Sequence, residues 1–144
     1  MMKLCCTYIE TDNFNEMVDF YEKIFEIKGN TYTENRWIEF DFGNKLSIYN
    51  RQYDVETIEG NNKNNYNQSF IEIFKQRKEK SVNNIIILNF YSDDLKNDYE
   101  RIKALKICEV SDIMYVNITE PYYYFNIYDP EGNTIEICGD KFDK

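Results

Sequence analysis

The chain has 144 residues, 42% hydrophobic and 17% aromatic, which suits one globular domain burying about two thirds of its unfolded surface. Its net charge of -9 repels a nucleic-acid backbone, and no Lys/Arg cluster offsets this locally, so no nucleic-acid partner is expected. It contains no histidine, which excludes His-based metal sites, Ser-His and Cys-His nucleophile pairs and imidazole acid/base work at neutral pH.

The opening "MMKLCCTYIETDN" lacks the apolar run and small-residue cleavage site of a secretory signal. No window approaches the roughly 20 apolar residues of a membrane span. A cytoplasmic protein with no membrane partner is therefore expected. Cys5, Cys6, Cys108 and Cys138 have no C-x-x-C spacing, so they read as reduced thiols in strands.

"KLCCTYIE" reads as a strand, and "DNFNEMVDFYEKIFEI" as a helix with Phe14, Met17, Val18, Tyr21, Ile24 and Phe25 on one stripe behind an Asp12/Asn13 cap. Gly29-Asn30 ends it, and "TYTE", "RWIEFDF" and "KLSIYN" follow as short strands separated by turns. Residues 52–82 read as a connector, with a loop at its Gly-Asn-rich centre and a short helix in "SFIEIFKQRKEK" capped by Ser69. Its "KQRKEK" run mixes signs without aromatic partners and reads as a solvated helix end.

The second half repeats the order. "NNIIILNFYS" is apolar enough for a strand buried on both faces. "DDLKNDYERIKAL" places Leu95, Tyr99, Ile102 and Leu105 on one helical stripe capped by Asp93 or Asp94. "KICEVSDIMYVNI", a turn at "TEP", "YYYFNIYD" and "NTIEICG" supply three more strands. The closing "GNTIEI" overlays the earlier "GNKLSI", so a carboxylate, Glu136, stands where the first copy has a hydroxyl, Ser47. Two copies of one β-α-β-β-β order point to a pseudo-symmetric pair and not to a solenoid.

This doubled unit, with "DFYEKIF" in its first helix and "DPEGN-x-IE" entering its last strand, resembles the vicinal-oxygen-chelate superfamily: glyoxalase I, extradiol dioxygenases, fosfomycin-resistance enzymes and bleomycin-binding proteins. The resemblance covers the chain outside the connector. It implies an α+β fold, the glyoxalase/bleomycin-resistance fold, in which two βαβββ modules, 1–51 and 83–144, build cup-shaped mixed sheets with helices outside and a small-molecule site inside. In metal-using members four ligands line the cup, one on the first and one on the last strand of each module. By the resemblance, Glu136 holds the last-strand position and the internal repeat maps its counterpart to Ser47. Counting back from the helix caps puts Cys5 on the first strand and Ile87 on the fifth. A divalent catalytic site needs at least three donor side chains, and a thiol, an alcohol, an alkyl group and one carboxylate do not supply them, so no metal and no cofactor are expected.

Strand alternation sets Thr134, Glu136 and Cys138 on the cup face and Ile135 and Ile137 under the helices. With Ile127 turned to the helices, Tyr124, Asn126 and Tyr128 share the face of Glu136, and Trp37 occupies the matching strand of module one. Aromatic walls with a few polar groups suit a pocket for a small molecule. Three functional classes stay open. The bleomycin-binding branch is the nearest model: it sequesters a cationic, antibiotic-like drug without metal ligands, in a crevice that implies a homodimer. The second is an enzyme, either a glyoxalase-like lyase or isomerase with a metal completed by the connector or a second chain, or a metal-free acid/base catalyst built on Glu136. The third is an interaction module whose cup its own side chains fill.

Overall fold

The computed structural model describes residues 1–60, 65–76, 86–117 and 121–142. It forms two compact units, Met1–Ser81 and Val82–Lys144. The first contains β1 (Thr7–Thr11), α1 (Phe14–Phe25), β2 (Asn30–Thr33), β3 (Trp37–Asp41), β4 (Lys45–Asn50), α2 (Arg51–Glu59) and α3 (Gln68–Gln76). The second contains β5 (Leu88–Tyr91), α4 (Leu95–Leu105), β6 (Met114–Asn117), β7 (Pro121–Tyr128) and β8 (Thr134–Gly139). Each holds one open four-stranded mixed sheet, ordered β1-β4-β3-β2 and β5-β8-β7-β6, so the fold is α+β with the β-α-β-β-β order repeated. In each, the first and last strands pair in parallel and the other neighbours antiparallel.

Helix α1 buries Met17, Phe20, Tyr21 and Ile24, a stripe at helical spacing, against the Ile38, Phe40, Leu46 and Ile48 side of the first sheet. Burying each of these side chains contributes about 1.5–3 kcal/mol. The helix stops at Phe25, where Glu26 takes a left-handed φ of 54°, so it ends before the Gly29-Asn30 pair that the sequence suggests. Gly29 has a packing role instead, because a Cβ there would lie 2.5 Å from Ile38 Cδ1. Helix α4 buries Leu95 and Ile102 in the same way, while Tyr99 meets Phe125 edge-on at 5.1 Å. Asp94 caps it by accepting the Asn97 amide at 3.1 Å. The two Gly-Asn turns carry positive φ at Gly43 (89°) and Gly132 (82°), which is why glycine stands in both.

Several sequence expectations need correction. Residues 51–59 form α2, although this stretch has little amphipathic signal: its buried pair is Asp54 and Ile58. Asn67, not Ser69, caps the following helix by accepting the Phe70 amide at 2.9 Å. The fifth strand spans only Leu88–Tyr91, and Ile86 and Ile87 before it are exposed. Of the four thiols, all free, only Cys138 lies in a strand. The loop centre at 61–64, the end of "KQRKEK" at 77–80, the start of the fifth strand at 83–85 and the turn at 118–120 lie outside the described residues.

Candidate functional site

In the second unit the face opposite α4 is assembled by strand register. Glu136 on β8 lies opposite Asn89 on β5 and Asn126 on β7, with Tyr124 opposite Cys138 and Tyr128 opposite Thr134. Ile135, Ile137, Phe125 and Ile127 alternate to the other face and are buried. Asn89 donates its side-chain amide to Glu136 Oε1 at 2.6 Å, and the Cys138 thiol lies 3.5 Å from Asn89 Oδ1. These contacts orient the amide so that its N–H side meets the carboxylate. Asn126 Oδ1 is buried and has no hydrogen-bond partner among the described residues.

In the first unit the same register produces different chemistry. Ser47 on β4 lies opposite Tyr8 on β1 and Glu39 on β3, and Tyr49 lies opposite Trp37. The Tyr8 and Trp37 ring centroids are 5.1 Å apart, with Tyr49 5.9 Å from Trp37 and 6.3 Å from Tyr8. Ser47 is fully buried, and its Oγ has no hydrogen-bond partner among the described residues.

The structure therefore brings Ser47 and Trp37 onto one face of the first sheet, and Glu136, Tyr124, Asn126 and Tyr128 onto one face of the second. Cys5 and Ile87 do not join them. Cys5 precedes β1 and is exposed, and Ile87 precedes β5 and is exposed. The residues beside Ser47 and Glu136 on the neighbouring parallel strands are Tyr8 and Asn89. Counting back from the helix caps ran past the strands because both strands run almost up to their helices, leaving shorter connections than that count allows.

Sequence reasoning missed Asp54 altogether. This aspartate on α2 is completely buried, and Arg36 donates Nε and Nη2 to its Oδ1 and Oδ2 at 2.9 Å each. Tyr66 donates its hydroxyl to Oδ1 at 2.6 Å, and Tyr49 donates to Oδ2. Burial alone pushes the Asp54 carboxyl up, but the hydrogen bonds from Arg36, Tyr49 and Tyr66 outweigh it and hold the group below its ordinary value of 3.8. Burial, followed by the bond to Asp54, raises Tyr49 above the usual phenol range. The Arg36 guanidinium also sits 5.1 Å from the Tyr49 ring centroid. A lone carboxylate in a polar segment gives no sequence signal of this kind. The only hint was Asn50, whose side chain caps α2 by accepting the Gln52 amide at 3.1 Å.

The family model of the Glyoxalase/Bleomycin resistance protein/Dioxygenase superfamily matches residues 6–137. The chain belongs to this superfamily. Solved structures agree in fold. A family enzyme from Burkholderia phytofirmans is 18% identical with a TM-score of 0.66, covering 95% of this chain and 98% of its own. Lactoylglutathione lyase from Agrobacterium tumefaciens is 20% identical with a TM-score of 0.62, covering 95% and 92%. An integron cassette protein from the mobile metagenome of V. cholerae is 18% identical with a TM-score of 0.62, covering 98% and 97%. No curated protein matches the chain.

Metal-using members of the superfamily would need donors on the paired first and last strands of each module. Here those places hold Tyr8 with Ser47 and Asn89 with Glu136. A phenol, an alcohol, an amide and one carboxylate already taking an amide hydrogen bond are a poor set for a catalytic divalent ion. Among the described residues no three His, Cys, Asp or Glu side chains are grouped to hold a metal. The donor set does not fit a catalytic divalent ion. Among the described residues no helix is long and apolar enough to cross a membrane.

Proposed function

We propose that this superfamily member binds a small organic molecule without a metal, using the polar and aromatic face of its second sheet, and that the molecule carries an N–H donor or cationic group. One observation carries the reading: the Glu136 carboxylate, oriented by Asn89 at 2.6 Å, stands directly across the strand pair from Asn126, whose buried Oδ1 has no partner among the described residues. Two adjacent oxygen acceptors, one of them a carboxylate, ask for a donor such as an ammonium or amidinium, and the flanking Tyr124 and Tyr128 supply flat apolar surface for its organic body. The acidic balance of the chain favours the same sign of ligand.

The test is a thermal-shift panel of organic cations, benzamidine among them, on protein purified without chelator, with metal content measured in parallel. At one hundred times its Kd a ligand adds about 2.7 kcal/mol, a midpoint rise of about 9 °C for a chain of this length, and Glu136→Gln should remove most of it. Stoichiometric metal that is lost in Glu136→Ala, or a panel with no shift, overturns the reading.

A further inference from the structure

On the first sheet, β4 runs between β1 and β3, whose backbones stand about 10 Å apart. Yet the rings of Tyr8 on β1 and Trp37 on β3 are 5.1 Å apart, so they lean toward one another over β4, where Tyr49 adds a third ring. Ser47 lies in this strand at the register of Tyr8, completely buried, with an Oγ that nothing among the described residues satisfies. A buried hydroxyl without a partner is a standing cost to a fold, and its usual explanation is a partner that is not part of the polypeptide. The charges bordering the face are already spoken for. Glu10 pairs with Arg51 at 3.2 Å, Glu39 with Lys45 at 2.9 Å, and Arg36 with Asp54 at 2.9 Å.

We propose that this aromatic face is a ligand site for a neutral planar molecule bearing one polar group, whose ring enters between Tyr8 and Trp37 and whose polar atom hydrogen-bonds Ser47 Oγ. The proposal rests on the metal-free binding reading above and assigns the first sheet a ligand chemistry opposite to that of the second. The two walls differ in mobility. Tyr8 is half exposed, so its ring swings at small cost, and its 49° tilt against Trp37 means that no parallel stack is lost when it does. Tyr49 is fixed, because its hydroxyl is held by Asp54 and its ring is covered by Arg36. A cation gains little here: each bordering carboxylate has a cationic partner, and the Arg36 guanidinium lies nearby.

Trp37 is the only tryptophan of the chain, so its indole N–H resonance in a ¹H–¹⁵N spectrum reports the site alone. Benzamide, benzamidine and toluene share a ring and differ in charge and polarity. Benzamide should move the Trp37 resonance with half-saturation near about 1 mM, the range expected of a fragment this small. Benzamidine and toluene should each bind there at least about fivefold more weakly, the discrimination one hydrogen bond or one unpaired charge provides. Ser47→Ala should weaken benzamide about fivefold, leave toluene unchanged, and keep or raise the thermal midpoint, since it removes an unsatisfied group. Tyr8→Ala, at an exposed ring, should abolish saturable binding. A Trp37 resonance indifferent to benzamide, or benzamide binding undiminished in Ser47→Ala, overturns the inference. If that happens while a cation still raises the midpoint through Glu136, only this inference falls; silence of the cation panel as well removes the broader reading too.

Discussion

The two sheets share their strand order, the parallel pairing of first and last strands and an apolar buried side, and they part company on the opposite face. Leu46 and Ile48 of β4 correspond to Ile135 and Ile137 of β8, all of them buried. Between them Ser47 corresponds to Glu136, and their parallel-strand neighbours, Tyr8 and Asn89, differ as sharply. The lesson is that the helix-facing side is held constant by packing, where each lost methylene costs stability, while the other side is free to change chemistry at little cost to the fold. Among the described residues the first unit also carries two helices without a counterpart in the second, α2 and α3, and a buried carboxylate ties α2 down.

That asymmetry is most easily broken at Asp54. Asp54→Ala leaves Arg36 without its partner and two tyrosine hydroxyls without an acceptor, so unfolding followed by denaturant should show a loss of about 3–5 kcal/mol, larger than for any exposed carboxylate in the second unit. The same group sets an acid limit. Its folded pKa lies below the unfolded 3.8, so its contribution is fully present above that pH and is lost as pH falls through the folded value. Asp54→Asn should flatten this part of the stability-versus-pH curve, and an unchanged slope would argue against the network.

Next in size are the close approaches at two glycines, Gly29 and Gly139. Gly29→Ala places a methyl 2.5 Å from Ile38 Cδ1, and Gly139→Ala one 3.0 Å from the Ser92 carbonyl and 3.1 Å from Leu95 Cβ. Each should cost about 1–3 kcal/mol. Gly139→Ala should suffer at least as much, because a carbonyl cannot rotate away as the Ile38 side chain can. Equal tolerance of both would refute this ranking.

Smallest is the difference in helix caps. Asp94 accepts the Asn97 amide, whereas Asn13 makes no side-chain cap to α1. Asp94→Ala should lower stability by about 1 kcal/mol, and Asn13→Ala by less than about 0.5. Reversal of that order in thermal unfolding would contradict the cap geometry.

Much of this architecture was legible in the residues. The helices announced themselves through Met17, Tyr21 and Ile24 and through Leu95 and Ile102, and the alternation of Ile135, Glu136 and Ile137 set the face of the last strand. The repeated Gly-Asn turn led directly to the pairing of Ser47 with Glu136. What failed had physical causes. The run Ile85 to Leu88 is uniformly aliphatic and contains no alternation from which parity could be read, so Ile87 stood in for Asn89. Cys5 was chosen by counting, while the strand that matters begins at Thr7. Helix α2 escaped notice because it buries an aspartate in place of an apolar stripe, and its stability depends on Arg36, which is distant in sequence.

In each module the opening strand pairs with the closing one: Thr7–Thr11 lies beside Lys45–Asn50, and Leu88–Tyr91 beside Thr134–Gly139. During synthesis, then, the opening strand waits unpaired until its partner has been made, and closing that long loop is the entropic hurdle on which sheet formation depends. The first sheet has all its strands once Asn50 has emerged, well before Leu88 is added, so a nascent chain can complete one half while the other is still being translated.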